Sequence, residues 1–269
     1  MSVDPTAVFR QIRDDTFQPS ALAVGPWNPG ALHGGPPCAL LAGVLERTVA
    51  DAGLGIDFFP ARFTAELSSP VPLADLTVTA TVRRPGRKIC IADASIAGPD
   101  GAVAVSATLL CIRRQSFDAG DQDDVATPPG PETGVPLASA MMDGPTAFHR
   151  SAVEHRCVSG TSFEAPGPAT DWIRLTVPLV EGRSTSPLER VVAAADFGNG
   201  VSQRFAMGDV LFVNPDLTVL LHRLPEGEWV CLDAITRIGS EGVGVAESLL
   251  FDEHGPIGRS AQTLLVEPR

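Results

Sequence analysis

The sequence predicts an α+β chain built twice on one plan, in which a curled antiparallel sheet wraps one apolar helix. Three observations carry this. Apolar residues alternate with polar ones at a period of two along several runs. One helix-patterned segment precedes the main strand run of each half. The chain also matches itself: residues 60–113 laid without gaps on 214–267, an offset of 154, give 9 identities in 54 pairs, including Thr64/Thr218, Ala80/Ala234, Arg83/Arg237 and Ala92/Ala246. Conservative pairs such as Ile91/Val245 and Asp93/Glu247 hold the same register.

The first helix is predicted over Pro36 to Ala52, where Leu40, Leu41, Val44, Leu45 and Val49 share a face, with proline at its start and Gly53 beyond its end. Strands follow at 61–67, 76–82, 88–97 and 102–113. In the second of these Leu76, Val78, Ala80 and Val82 alternate with Thr77, Thr79 and Thr81. Pro85-Gly86 and Pro99-Asp100-Gly101 mark the turns. The second half repeats this with a helix over Pro187 to Ala195 and strands at 215–223, 229–237, 242–251 and 257–267. Between the halves, Asp118, Asp121, Asp123, Asp124 and Glu132 mix with Pro128, Pro129, Pro131 and Pro136. That composition predicts a solvated linker over 115–145, separating units at 1–114 and 146–269.

The 269 residues are 44% hydrophobic and 19% charged, which excludes global disorder. Twenty basic against 32 acidic residues leave a net charge of −12, unsuited to nucleic acid or an anionic membrane surface. No membrane-spanning run is expected, because prolines and glycines interrupt the uncharged stretch 16–45. The start of the chain does not read as a secretory signal, so a cytoplasmic location is expected. The five cysteines form no C-x-x-C pair and the histidines have no ligand-like spacing, so neither a metal nor a cofactor is expected.

Leu32-His33-Gly34-Gly35-Pro36-Pro37 at the opening of the first helix, Trp172-Ile173-Arg174, Asp216 with His222-Arg223 after its strand, and the closing Arg259-Ser260-Ala261-Gln262 occur in an order and spacing that resembles the acyl-CoA thioesterase II family, the double hot-dog thioesterases. The resemblance covers most of the chain. It implies a duplicated hot-dog fold and hydrolysis of a fatty acyl-CoA to free acid and CoA, with the attacking water held by a carboxylate, a hydroxyl and a glutamine of the second half. Carried over by position, the carboxylate is Asp216 and the amide Gln262. The hydroxyl position falls on Arg237, with Thr236 one residue earlier. Because strand neighbours face opposite ways, only one of the two enters the site. The identical Arg83 of the first half gives the arginine a structural reason to point outward, which favours Thr236.

At the same offset Asp216 pairs with Arg62 and Gln262 with Thr108, so one catalytic site per chain is expected. His33, Gly34 and Gly35 suit close backbone approach to substrate. Arg84, Arg87 and Lys88, beside Arg83 at the Pro85-Gly86 turn, form a basic cluster suited to the phosphates of CoA. There is no G-x-S-x-G elbow and no phosphate-binding loop. The alternative reading is a non-catalytic acyl-CoA binding or sensing protein that kept the pocket. Whether the chain works alone or as a homodimer stays open in the sequence.

Overall fold

Threonine alternation along residues 76–82 becomes a pleat in which Leu76 and Val78 are buried and Thr77, Thr79 and Thr81 are exposed. The computed structural model describes residues 5–118, 120, 125–137, 142–160, 163, 165–205 and 210–268. The linker residues Asp121, Asp123 and Asp124 lie outside the described residues. The first half contains β1 (Phe9–Arg13), β2 (Thr16–Pro19), α1 (Gly35–Asp51), β3 (Phe58–Leu67), β4 (Leu76–Pro85), β5 (Ile89–Ala97) and β6 (Val103–Arg113). The second contains β7 (Val135–Pro136), β8 (Val153–Ser159), β9 (Ala169–Leu175), α2 (Pro187–Ala195), α3 (Gly198–Val201), β10 (Val210–Val213), β11 (Asp216–Leu221), β12 (Val230–Ile238), β13 (Val243–Asp252) and β14 (Gly255–Pro268).

These strands form one 14-stranded sheet in the order β1-β2-β4-β5-β6-β3-β11-β14-β13-β12-β9-β8-β7, with β10 paired to β14. The halves join edge to edge where β3 meets β11 antiparallel, with Thr64 opposite Thr218, Glu66 opposite Asp216 and Arg62 opposite Leu220. Thr64 and Thr218 are repeat mates, so this pairing has a local two-fold axis through them. The repeat offset holds through β12 and β13: Val82 and Thr236 face inward, and Arg83 and Arg237 face outward onto Asp93 and Glu247 respectively. It fails in β14. Ile96 pairs with Val105 but its mate Leu250 pairs with Gly258, a hairpin one residue shorter. Gln262 therefore stands opposite Ala246 as Leu109 stands opposite Ala92, and its structural mate is Leu109 rather than the outward-facing Thr108.

Two prolines open α1, where no intrahelical N–H is lost. A capping box starts α2, with Ser186 and Glu189 each bonding the other's backbone N–H. The helices run antiparallel on the same side of the sheet: Gly35 faces Ala193, Gly43 faces Glu189, and Ser186 donates to Glu46. A single apolar core joins both halves around them. Where α1 continues unbroken for 17 residues, α2 stops after nine at Asp196 and α3 resumes at Gly198.

The linker is not solvated throughout. Trp172, fully buried on the outer face of the second half with Cys231 and Phe251, donates its indole N–H to the Pro129 carbonyl at 2.7 Å. Val125 packs on that cluster, Pro131 is buried, and Val135 pairs with Cys157. A buried indole N–H needs an acceptor, and the linker backbone supplies it. Among the described residues no helix is long and apolar enough to cross a membrane.

Candidate active site

At the end of α2 the carboxylate of Asp196 is buried against the first turn of α1. His33 Nδ1 lies 2.8 Å from its Oδ2, while Asn214 Nδ2 and Gln262 Nε2 donate to its Oδ1 at 2.9 and 3.2 Å. The backbone N–H of Gly35 is a further partner. Burial pushes the Asp196 carboxyl up, but the hydrogen bond and charge of His33, then Asn214 and Gly35, outweigh it and hold the group below the ordinary carboxylate value. The positive end of the α1 dipole acts in the same direction.

An ionised carboxylate only accepts, so the hydrogen between the pair is on Nδ1 of His33, and in the neutral ring the lone pair is then on Nε2. Gly35 N also lies 3.2 Å from Nδ1; with that nitrogen protonated, its N–H serves the carboxylate. Among the described residues Nε2 makes no hydrogen bond. Both residues line the cavity, and the side chain of His33 is the more accessible of the two, 12% exposed against 2% for Asp196. Phe197 and Phe148 hold the ring, with centroids at 4.8 and 5.3 Å.

The cavity is about 410 Å³, and its walls are mainly apolar, with Trp27, Leu67, Val71, Phe163, Phe212 and Leu265 among them. His33, Asp196 and Asn214 meet at one point of it. That is the usual build of a small-molecule site, with an apolar channel and a few convergent polar groups. Asn214 reaches Asp196 because Asn214-Pro215 interrupts the strand: β3 passes this level as one bulged strand, whereas the second half splits into β10 and β11.

Of the residues expected from sequence, His33, Gly34 and Gln262 are brought together. A Cβ on Gly34 would lie 2.9 Å from both Asp196 oxygens, and one on Gly35 would lie 2.9 Å from the Ala193 carbonyl. Asp216 is elsewhere. Its carboxylate accepts from the backbone and hydroxyl of Thr263 on the outer face, while Gln262, one residue earlier, faces inward. Thr236 is buried and inward as the repeat favoured, yet its hydroxyl bonds Ser202 at 2.8 Å and not the Asp196 cluster. Arg84, Arg87 and Lys88 sit at the far tip of the β4–β5 hairpin. Strand β4 starts beside the cavity loop 67–71 and runs ten residues away, about 30 Å. The cavity lining holds no Lys or Arg among the described residues. Nor do three His, Cys, Asp or Glu side chains group there as metal ligands.

Asp196 and Asn214 were missed. The available signal was a lone acid after the apolar run Val191-Val192-Ala193-Ala194-Ala195, an expensive place for a charge unless it is paired.

Two family models match the sequence: an acyl-CoA thioesterase N-terminal domain over residues 23–112 and an acyl-CoA thioesterase C-terminal domain over 123–266. No curated protein matches it. Among solved structures, a hot-dog-fold protein of unknown function from Alicyclobacillus acidocaldarius superposes with a TM-score of 0.69 at 18% identity, covering 99% of this chain and 97% of that one. The tesB protein of Mycobacterium avium subs paratuberculosis gives 0.67 at 13% identity, over 98% and 97%. The acyl-CoA thioesterase II TesB2 of Mycobacterium marinum gives 0.66 at 14%, over 97% and 95%. At these identities the shared property is the hot-dog fold.

Proposed function

The chain belongs to the acyl-CoA thioesterase family, and from that premise we propose that it hydrolyses an acyl-CoA thioester at the Asp196–His33 pair, as a tandem of two hot-dog units joined by the segment 115–145. One observation carries the choice of base. Four donors, from His33, Asn214, Gln262 and Gly35, already occupy the Asp196 carboxylate, and it is held ionised. Such a group orients and stabilises a charged histidine better than it takes a proton from water. His33 Nε2, with its lone pair on the cavity side, takes the proton instead.

The water oxygen bonds to the thioester carbonyl carbon as its proton passes to Nε2. Developing negative charge on the carbonyl oxygen lies beside the positive end of α1. Collapse breaks the C–S bond, and the proton on Nε2 goes to the departing sulfur. Gln262 enters as the residue that fixes Asp196, since both its N–H groups are spent on the Asp196 carbonyl and carboxylate.

A panel of acyl-CoAs with a thiol-release readout tests this. His33→Ala and Asp196→Asn should lower turnover by about two orders of magnitude or more with the thermal melt retained. Asp216→Asn, which the sequence reading would inactivate, should behave as wild type. Loss of activity in Asp216→Asn with activity kept in His33→Ala would overturn the assignment. Absence of thiol release from every substrate would leave the binding protein.

A further inference from the structure

The basic cluster Arg84, Arg87 and Lys88 does not serve the cavity, because β4 carries it to the far end of the sheet. There it has company. β4 ends at Pro85, β5 starts at Ile89, β6 ends at Arg113 and β3 starts at Phe58, so the turns that flank these strands lie side by side. Backbone bonds tie them together: the Arg113 N–H donates to the Lys88 carbonyl at 2.9 Å and the Arg114 N–H to the Asp57 carbonyl at 2.7 Å. Five exposed cations, Arg84, Arg87, Lys88, Arg113 and Arg114, are thereby gathered at one end. None of the five makes an ion pair among the described residues. Against them stand the exposed Asp51, Asp57 and Asp118. In a chain where acids outnumber bases 32 to 20, this end reverses the ratio.

The same end is apolar as well as basic. Ile89, Ile112 and Phe59 stand opposite one another on three neighbouring strands, and the two isoleucines are 40% and 47% exposed. The guanidinium of Arg114 lies over the Phe59 ring, 5.1 Å from its centroid. Ile56, in the turn before β3, is 91% exposed. An apolar side chain that stands out from a turn fits a folded partner only where that partner offers a matching hole, whereas a bilayer interface admits it anywhere. Apolar residues at the acyl boundary, beside cations at the headgroups, are how a chain adheres to a membrane without crossing it.

We propose that this end docks the chain on an anionic bilayer surface, with Ile56 in the interface and the five cations on the lipid phosphates. The net charge of −12 argues against such a surface only for a chain that carries its charges evenly. At physiological ionic strength a charge acts over about 8 Å, so the end nearest the lipid decides and the acids of the remainder are screened. Docked in this way, the chain holds its cavity at the opposite end of the sheet, and substrate reaches it from the aqueous side. The proposal goes beyond the hydrolytic reading and does not rest on it, since adsorption needs no turnover.

The test sediments the full chain with vesicles of phosphatidylcholine containing about one third phosphatidylglycerol, and with vesicles of phosphatidylcholine alone. Binding to the anionic vesicles should be stronger by about tenfold or more, and raising the salt from about 0.1 to about 0.5 M should remove most of the difference. Arg87→Gln with Lys88→Gln should weaken binding about 25-fold, at about fivefold for each cation. Ile56→Ser should weaken it about tenfold. Arg10→Gln with Arg13→Gln makes the same change of charge on β1, which lies by way of β2 beside the start of β4; this variant should bind as wild type does. All the altered side chains are exposed, so the thermal melts should be retained. Equal losses in the two double variants would overturn the proposal, as would equal binding to both kinds of vesicle or binding to neither. Self-association of the wild-type chain that Arg87→Gln with Lys88→Gln abolishes, without vesicle binding, would overturn it too and make this end a contact between copies.

Discussion

Gly34 and Gly35 are adjacent, yet a methyl group at each meets a different obstacle. At Gly34 it meets the two oxygens of Asp196, and at Gly35 the carbonyl of Ala193 on α2. The first contact is with the carboxylate of the proposed site and the second chiefly with the helix–helix joint, the Asp196 Cβ lying farther off at 3.4 Å. Gly34→Ala should therefore cost activity, by about a hundredfold, with little change in melting temperature. Gly35→Ala should cost stability instead, about 1 to 3 kcal/mol for overpacking, read as a melting point lower by several degrees. Kinetics and thermal melts on the same two preparations check both, and equal effects at the two positions would contradict the separation. The value of these glycines was legible from the sequence as close backbone approach. What they approach was not, because Asp196 is 162 residues beyond Gly34 and its helix shows only an apolar period.

At the level of elements, the main strands and both long helices follow from periodicity, because burial of one face imposes it. The facing of β14 does not, since a hairpin shorter by one residue inverts which neighbour points inward without leaving a mark on an ungapped alignment. The same kind of local event, the strand break at Asn214-Pro215, supplies Asn214 to the site. Asp216 was the expected acid because the family resemblance carried the carboxylate to that position, and its side chain bonds Thr263 on the outer face. The segment after β6 looked free on composition alone, whereas Trp172 ties it down. Trp172→Phe keeps the bulk and removes the N–H to Pro129. It should lower stability by about 1 kcal/mol and speed limited proteolysis within 125–136, both measurable against wild type. Unchanged cleavage there would mean that the indole bond does not secure the segment.

Across the whole molecule the contacts between the halves include the β3–β11 pairing and a half-buried polar joint between the helices. In that joint Glu46, bonded to Ser186, faces Glu189 and Arg47, and Arg183 acts on Glu189 from beside them. Burial first, opposed by the Ser186 hydrogen bond and reinforced by the Glu189 charge, pushes Glu46 from 4.5 to about 7. A raised carboxyl pKa means that the folded state keeps a proton the unfolded chain gives up. Stability is thus highest below about pH 4.5 as far as this group is concerned, and falls as pH rises through the window to about 7. The loss is about 3 kcal/mol at most. Glu46→Gln, which still accepts from Ser186, should flatten that slope and raise the melting temperature at pH 8 but not at pH 4; denaturation series at both pH values decide it. The pairing of Thr64 with Thr218 has another consequence. A strand that meets its own repeat mate across a two-fold axis makes the contact that two identical subunits would make, so the fused chain reproduces a symmetric pair within one polypeptide. In a pair of identical chains any residue is present twice, and a glutamine in place of Leu109 would have disrupted the apolar layer under both helices. Covalent fusion removes that constraint: one copy keeps the leucine and the long unbroken helix as scaffold, while the other is free to break its helix and carry the charge.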